Sequence, residues 1–377
     1  MRILTLIHEY PPVGGGGGRV AEDLCTGLAK RGHEVRVLTA GWGDLPEHRE
    51  ALGVHVHRLK SLRRESFRAD LRAMVGYVWA SFWEGLRTIR TWKPDVIHVH
   101  FAVPAGASAW ALSVLTGTPY LLTAHLGDVP GGTPEKTGKW FGWVLPFSRL
   151  IWRRARRVAA VSEFTRGLAL KHYPVPVTVI PNGVDLEELD PGDLEINNPP
   201  RIVFAGRFME QKNPLGLVRI LSQITDLPWK CALIGDGPLR AAVEAEIARL
   251  GLTERITLPG WLAPPQVLGW FGRSDVLLLP SFSEGLPVVG VQGMAMGLAL
   301  ALSRAGGNVE LVEEGVNGFC HDPRDETGFA EKLRALIRDP QHLLEVRKAS
   351  RESARRFDLE SVVESYAKIL EDVRQSA

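Results

Sequence analysis

Short runs of β-branched and other apolar residues alternate along this chain with longer amphipathic stretches. The runs are RILTLI, EVRVLT, DVIHVH, PYLLTA and RVAAVS in the first half, and RIVFAG, KCALIG, RITLPG, DVLLLP, LALALS and GVNGFC in the second. A strand followed by a crossover helix produces this rhythm, and repeated units of this kind build a parallel sheet with helices on both faces. The alternation therefore predicts an α/β fold.

The alternation is interrupted once, at PVTVIPNGVDLEELDPGDLEINNPP, where Pro, Asn, Gly and Asp cluster without a periodic apolar face. We interpret this segment as a linker between two similar α/β domains in tandem. If the domains face each other across the linker, the loops after their strands line one cleft. The chain ends on an apolar-periodic segment that must bury one face, so we expect this terminal helix to pack back on the first domain.

Size and composition exclude several classes of protein. The 377 residues exceed one ordinary core, and a formal net charge of +2 is too small for a surface that binds nucleic acid as a whole. Three distant cysteines, Cys25, Cys231 and Cys320, favour reduced thiols over a disulfide framework or a metal site. The sequence contains neither a signal peptide nor a stretch that is apolar over the thickness of a bilayer, so we expect a cytoplasmic protein.

Three charged residues follow predicted strands of the second domain. Arg207 and Lys212 lie in FAGRFMEQKN, and Glu284 lies in LLLPSFSEGLPVVGVQ, where we expect a helix to begin near Gly285. An arginine fork, a lysine point charge and a helix N-terminus all suit phosphate oxygens. Taken singly, the cations could be surface charges and Glu284 a carboxylate that complements the helix dipole. Together they favour a site for a diphosphate held beside a sugar, as in a nucleotide-sugar.

Five consecutive glycines, Gly14 to Gly18, lie between the first predicted strand and the first predicted helix, which we place near residues 21–30. A backbone without side chains can approach a phosphate or a sugar closely, although a flexible connection is an alternative. The second strand ends in VLTAGWGD, without an acidic residue at its tip to hold a ribose. Binding of NAD is therefore disfavoured.

Histidines mark the ends of two other predicted strands. His125, in LLTAHLGD, follows a strand that ends at the expected cleft, where an imidazole can hydrogen-bond a sugar hydroxyl or stabilise developing charge. His98 and His100 share one face of DVIHVH. We favour a core or strand-end role for this pair over metal binding, because no third ligand is evident at a usable spacing.

Taken in order, the motifs YPPVGGGGG, LAKRGHEVRVLT, DVIHVH, TAHLGD, VIPNGVD, FAGRFMEQKN, LIGDGP, SDVLLLPSFSEGLP and GGNVELVEEGVNGF resemble the retaining glycosyltransferases of family 4, group 1. The resemblance covers nearly the whole chain. It implies the GT-B architecture, in which two tandem Rossmann-like domains face each other across a cleft. Residues 1–185 with the terminal helix 358–377 would bind the acceptor, and residues 196–357 would bind the nucleotide-sugar donor.

The resemblance also implies roles for the candidate residues. Arg207 and Lys212 would bind the donor diphosphate, Glu284 would hold hydroxyls of the donor sugar, and His125 would lie beside the transferred sugar. The other implied donor-binding residues are Gly15, Gly16, Gly285, Leu286, Pro287, Val288 and Gln292.

Gln292 departs from the family pattern, which usually has a glutamate at this position to contact the ribose. Glutamine keeps the shape and one acceptor oxygen but loses the charge, at a cost of about 1–2 kcal/mol in binding. We interpret this as tuning of affinity. A changed nucleotide preference or a degenerate enzyme are the alternatives.

The implied reaction moves a hexose-type sugar to a hydroxyl of a glycan, lipid-linked or small-molecule acceptor, with retention of configuration. The acceptor would attack on the face from which the diphosphate leaves, so that neither a catalytic metal, nor a cofactor, nor a flanking pair of carboxylates is required. Two alternatives are a nucleotide-sugar epimerase of the same architecture and a protein that binds nucleotide-sugars with weak or no catalysis.

Two aromatic stretches lie in the first domain. Residues 140–157, WFGWVLPFSRLIWRRARR, combine Trp140, Phe141, Trp143, Phe147 and Trp152 with Arg149, Arg153, Arg154, Arg156 and Arg157. A second stretch has the spacing of a helical core stripe, formed by Phe67, Leu71, Val75, Val78, Phe82, Leu86 and Ile89. Trp79 and Trp83 lie outside this stripe. Aromatic residues beside arginines suit a helix lying on anionic lipid, although a core with a solvated arginine face is an alternative. We hypothesise peripheral attachment to the inner face of the cell membrane.

Overall fold

The computed structural model of the protein describes residues 1–63, 70–132 and 134–376, with the side chains of Asp128 and of residues 134–143 outside the description. The chain forms two compact units. The first consists of Met1–Gly183 with Leu359–Ala377, and the second consists of Val184–Asp358. Each unit is an α/β domain built on a largely parallel sheet, which confirms the fold class predicted from the alternation.

The sheet of the first unit has eight strands: β1 (Arg2–Leu6), β2 (Glu34–Ala40), β3 (His48–Ala51), β4 (Val54–Leu59), β5 (Val96–His100), β6 (Tyr120–Ala124), β7 (Arg157–Ala160) and β8 (Thr178–Val179). They lie in the order β3-β4-β2-β1-β5-β6-β7-β8, and the described pairs are parallel except β3 with β4. The five predicted strands are β1, β2, β5, β6 and β7. The sequence pattern missed β3 and β4, and β8 lies inside the segment interpreted as a linker.

In the described part of the first unit, five helices precede β8: α1 (Gly16–Lys30), α2 (Leu71–Trp92), α3 (Ala105–Thr116), α4 (Pro134–Arg154) and α5 (Glu163–His172). Side-chain caps fix where two of them begin. Asp70 accepts a hydrogen bond from the backbone N–H of Ala73 at the start of α2, and Ser162 accepts one from Thr165 at the start of α5. These caps satisfy N–H groups that have no partner within the helix.

The predicted core stripe on α2 is wrong at its N-terminal end. Leu71 and Val75 are 71% and 61% exposed, whereas Leu86 and Ile89 are buried as predicted; Phe67 lies outside the described residues. The buried face also contains Tyr77, Thr88 and Trp92, together with three small residues, Ala73, Ser81 and Gly85. A Cβ at Gly85 would lie 2.6 Å from Leu112 of α3, and Ser81 Oγ lies 2.7 Å from Ser108 Oγ of α3. Close packing against α3 therefore requires small residues at these contact positions.

The second unit has six parallel strands: β9 (Arg201–Ala205), β10 (Lys230–Ile234), β11 (Ile256–Gly260), β12 (Val276–Leu279), β13 (Ala299–Ser303) and β14 (Gly318–His321). Its helices are α6 (Pro214–Ser222), α7 (Arg240–Arg249), α8 (Pro264–Phe271), α9 (Val288–Ala295), α10 (Glu326–Arg338) and α11 (Pro340–Ser353). The strand order is β11-β10-β9-β12-β13-β14. From β9 the chain builds outward on one side, then returns to β12 and builds on the other. Loops at such a switch point are the common ligand site of an open α/β sheet.

The terminal helix α12 (Leu359–Gln375) belongs to the first unit, as predicted. It covers the same face of the sheet as α1, and its buried residues are Val362, Val363, Tyr366, Ile369, Leu370 and Val373. Helices α2, α3 and α4 cover the opposite face. Neighbouring residues of β1 show the two faces, since Ile3 packs into the α1–α12 core and Leu4 into the other. Both faces of the sheet are thereby buried.

Candidate active site

Lys212 and Glu284, which are distant in sequence, form an ion pair in the second unit. Lys212 ends a 3₁₀ turn (Glu210–Lys212) after β9, and Glu284 follows β12. The distance between Lys212 Nζ and Glu284 Oε1 is 2.6 Å, and their side chains are only 19% and 6% exposed. The two strands that carry these loops are neighbours at the switch point of the sheet. The structure thus brings together two of the three charged residues predicted for the diphosphate site.

Hydrogen bonds join the loop after β9 to the loop after β12. Gln211 Nε2 donates to Ser283 O (2.9 Å), and Phe282 N donates to Gln211 O (2.8 Å). Asn213 adds a third link, because its Nδ2 donates to Pro280 O while its Oδ1 caps α6. The backbone on both sides of the Lys212–Glu284 pair is therefore held in place before any ligand binds.

Arg207 lies on the same loop as Lys212, next to the loop after β10. Its neighbours are bonded to that second loop, since Gly206 N donates to Ile234 O and Phe208 N donates to Asp236 O. Gly235 and Gly237 permit this approach. A Cβ at Gly235 would lie 1.9 Å from Gly206 O, and one at Gly237 would lie 2.6 Å from Phe208 O. The half-buried Arg207 is thus carried by a backbone fixed between two loops.

Two glycines after β13 support the backbone of Glu284. Gly307 N donates to Glu284 O over 2.9 Å. A Cβ at Gly306 would lie 1.9 Å from Glu284 O, and one at Gly307 would lie 1.6 Å from Gly285 O. The sequence interpretation assigned no site role to Gly306 or Gly307, although a glycine pair shortly after a predicted strand is a signal that could have found them.

Helix α9 begins later than predicted. Its first residue is Val288, with Pro287 as the N-cap, rather than a position near Gly285. Gly285 and the buried Leu286 form the turn between Glu284 and the helix, and Gln292 lies half-buried one turn into it. A proline disfavours the helical conformation of the residue before it, so Pro287 keeps Leu286 out of the helix. Glu284 is still followed closely by the positive end of a helix dipole.

The glycine run of the first unit is a packed turn at the start of α1. Gly14 has a φ of +98°, Gly15 is the N-cap and Gly16 is the first helical residue. A Cβ at Gly17 would lie 2.7 Å from Phe101 Cζ, and one at Gly18 would lie 2.7 Å from Glu9 O. Close contact with these neighbours, rather than flexibility, accounts for glycine at positions 17 and 18.

His125 lies beside this turn among other aromatic rings. Its ring stacks on Phe101 at 4.3 Å, and its Nε2 lies 3.3 Å from His100 Nδ1. His98 and His100 have fully buried side chains whose rings lie 4.3 Å apart, and His98 Nε2 lies 2.8 Å from Thr123 Oγ1. Burial, with a smaller contribution from other histidines, lowers the pKa of His125 to about 4 and that of His98 to about 3. His125 is therefore neutral at pH 7 and can donate one hydrogen bond and accept another.

The lowered pKa of His125 predicts a pH dependence of stability. Its ordinary pKa is 6.5 and its folded pKa is about 4, so the unfolded chain binds the proton more readily and stability falls as the pH drops from 6.5 towards 4. Between pH 7 and pH 5 the free energy of unfolding should therefore fall by about 2 kcal/mol less in His125→Asn than in the parent, as measured by urea unfolding. His342→Asn, at an exposed position of α11, is the control. An equal loss in the parent and in His125→Asn would contradict the prediction.

Helices α2, α3 and α4 expose apolar residues on the side away from the sheet. Leu71, Val75, Trp79 and Trp83 recur every four residues along α2, and Trp79 and Trp83 are 67% and 51% exposed. Phe147 and Leu150 of α4 are also exposed, together with Arg149 and Arg153. The hypothesis of a lipid-facing side chain is wrong for Trp152, because this residue is buried and its ring stacks on Tyr173 at 4.2 Å. The side chains of Trp140, Phe141 and Trp143 lie outside the description. None of the described helices has the length and apolar character needed to cross a bilayer.

Two family models match consecutive parts of the chain. The family described as Glycosyltransferase Family 4 matches residues 14–188, and the family described as Glycosyl transferases group 1 matches residues 199–339. An uncharacterized glycosyltransferase of Methanocaldococcus jannaschii is 26% identical, over 99% of both chains.

Two solved structures have a similar fold. Sucrose-phosphate synthase from Thermosynechococcus elongatus is 19% identical, with a TM-score of 0.87 over 100% of both chains. Anabaena HepE, solved in complex with UDP-glucose, is 20% identical, with a TM-score of 0.80 over 99% of this chain and 100% of that one. The two family matches together span most of the sequence, and the chain belongs to the group 1 glycosyltransferases of the family 4 type.

Proposed function

We propose that the protein transfers a hexose-type sugar from a nucleotide-diphosphate sugar to a hydroxyl group of a glycan, lipid-linked or small-molecule acceptor, with retention of configuration. The observation that carries this proposal is the Lys212–Glu284 pair at the switch point of the second sheet, with Arg207 on the same loop as Lys212. A cation and a carboxylate side by side match the two parts of such a donor, a diphosphate and a hydroxyl-bearing sugar.

The ion pair gives each partner a separate role once the donor binds. Without ligand, Glu284 neutralises Lys212, which avoids leaving either charge buried and unpaired. A bound diphosphate would take over Lys212 and free the carboxylate of Glu284 to accept hydrogen bonds from sugar hydroxyls. Arg207 would hold further phosphate oxygens with its guanidinium fork. The two cations would then stabilise the charge that develops on the diphosphate as it leaves.

In the proposed reaction the acceptor hydroxyl attacks the anomeric carbon on the face from which the diphosphate departs. The bond between that carbon and the acceptor oxygen forms while the bond to the phosphate oxygen breaks, and the hydroxyl proton passes to a phosphate oxygen. The chain's own residues bind and orient the donor and stabilise the leaving group, so no side chain has to act as the base and no metal is required. The role of His125 beside the transferred sugar stays a prediction.

The choice of donor can be tested directly. HepE was solved with UDP-glucose, so UDP-hexoses come first in a panel that also contains GDP- and ADP-sugars. Thermal shift measures binding, and slow hydrolysis without acceptor measures bond cleavage. We expect at least one donor both to raise the melting temperature and to be hydrolysed. An epimerised donor without transfer would favour the epimerase alternative, and binding without hydrolysis or transfer would favour the binding protein.

We further propose that the exposed apolar surface of α2 and α4 attaches the first unit to an anionic membrane. Leu71, Val75, Trp79 and Trp83 supply apolar area, and arginines next to Phe147 supply positive charge. The proposed occupant is thus a lipid surface, which also suits a lipid-linked acceptor.

Trp79→Ser combined with Trp83→Ser is expected to weaken binding to anionic vesicles at least tenfold, since burying a large apolar side chain contributes about 1.5–3 kcal/mol. Vesicle flotation at low salt measures this. Trp261→Ser is the matched control, because Trp261 of the second unit is 55% exposed and lies outside this surface. No flotation of the parent protein would argue for a soluble acceptor.

A further inference from the structure

Histidines and glutamates cluster at the edge of the first sheet, where β3 pairs antiparallel with β4. In this register His48 lies opposite His57, and Glu50 lies opposite His55. Residues two apart on a strand share a face, so all four side chains project from the same side of the hairpin. Glu47 immediately precedes β3. The proposed sugar transfer assigns no role to any of these residues.

Three of these side chains converge on one point. Glu47, His48 and His57 each offer a ligand atom, and these atoms lie within 4.8 Å of one another. Glu47 Oε1 lies 3.3 Å from His57 Nε2 and 3.7 Å from His48 Nε2. Metal bonds of about 2.0–2.1 Å in a tetrahedron place neighbouring ligand atoms about 3.3 Å apart. The two separations from Glu47 Oε1 are already close to this value.

A fourth side chain orients His57. Glu84 of α2 places its Oε1 3.5 Å from His57 Nδ1, and both side chains are largely buried. A carboxylate at Nδ1 favours the proton on that nitrogen, so that Nε2 directs a lone pair towards Glu47 and His48. Histidines that bind metals are oriented by a carboxylate in this way. This contact comes from a different element, α2, so His57 is oriented from outside the hairpin.

We propose that Glu47, His48 and His57 bind a transition-metal dication of the zinc class, with water as the fourth ligand. Two imidazoles and one carboxylate suit Zn²⁺, whereas Mg²⁺ and Ca²⁺ prefer sites made of oxygen ligands. Glu47 and His48 are exposed and can adjust to the metal, while His57 is held by Glu84. The bound ion would join the edge strand β3 to β4, and through Glu84 to α2. It would stabilise the hairpin and take no part in sugar transfer.

Isothermal titration of the full-length, tag-free protein with Zn²⁺ tests the proposal. We expect one equivalent per chain, unaffected by excess Mg²⁺, and slower hydrogen exchange of the β3 amides in the presence of the metal. The double variant His48→Gln/His57→Gln should lose this equivalent. Glu84→Gln should weaken binding by about 10–100-fold, as loss of an orienting carboxylate does.

His55→Gln is the matched control. His55 lies on the same hairpin, and its Nδ1 lies 3.4 Å from Glu50 Oε2. It does not belong to the proposed metal site of Glu47, His48 and His57. Zn²⁺ binding by this variant should equal that of the parent. No saturable binding by the parent, or an undiminished equivalent in the folded His48→Gln/His57→Gln variant, would overturn the proposal.

Discussion

Replacing Lys212 by alanine should lower the turnover of sugar transfer by about a hundredfold or more, as the loss of one electrostatic donor does at other active sites. The same result is expected for Arg207→Ala. Both cations are proposed to stabilise the departing diphosphate, so their loss should lower kcat and not only raise KM. Steady-state kinetics with the donor identified by the panel measures the effect.

A second comparison separates this role from simple neutralisation of Glu284. Lys212→Ala leaves Glu284 buried without its cation, and Lys212→Ala/Glu284→Gln removes that unpaired charge. If Lys212 stabilises the leaving group, the double variant stays at least as slow as the single one. Recovery of turnover in the double variant would contradict the assignment. Lys332→Ala is the control, since Lys332 also pairs with a glutamate, Glu314, at an exposed place.

Alanine at Gly307 should damage the site through its backbone. The added methyl would lie 1.6 Å from Gly285 O and 2.6 Å from Gly285 C, and such backbone atoms cannot turn aside as a flexible side chain can. The loop that carries Glu284 must shift, so we expect the free energy of unfolding to fall by about 3 kcal/mol or more. The variant should also lose nucleoside diphosphate binding. Urea unfolding and calorimetry measure the two effects.

Gly269→Ala is the control for this variant. Gly269 lies within α8, and a Cβ there would meet no atom within 4 Å. This change should leave nucleotide binding intact and stabilise the second unit by up to about 1 kcal/mol, because alanine favours a helix over glycine. Normal nucleotide binding by Gly307→Ala would show that the close packing of these loops is not needed for the site.

The sequence predicted that Lys212 and Glu284 lie close together, but not which residues hold their loops in place. Apolar runs identified β9 and β12. The loops that follow parallel strands lie at the same edge of a sheet, so the approach of Lys212 to Glu284 could be expected from the pattern. The pattern did not reveal the close packing of Gly306 and Gly307 on the Glu284 loop. Residues without side chains carry no periodic signal, and their contacts join loops that are distant in sequence.

The errors in the predicted fold also have physical causes. Apolar spacing assigned Leu71 and Val75 to the core, but close packing of α2 on α3 requires small residues such as Gly85 and Ser81 at the contact. The strand β8 has only two residues, too few for a recognisable alternation. The start of α9 was misplaced, because the turn through Gly285 and Leu286 precedes the N-cap.

A crystal structure of the protein soaked with UDP tests the central claim most directly, namely that Arg207 and Lys212 hold the donor diphosphate. The proposal predicts phosphate oxygens within hydrogen-bond distance of both side chains, with the Lys212–Glu284 contact lengthened. Phosphates bound elsewhere, or both cations directed towards solvent with nucleotide present, would contradict it.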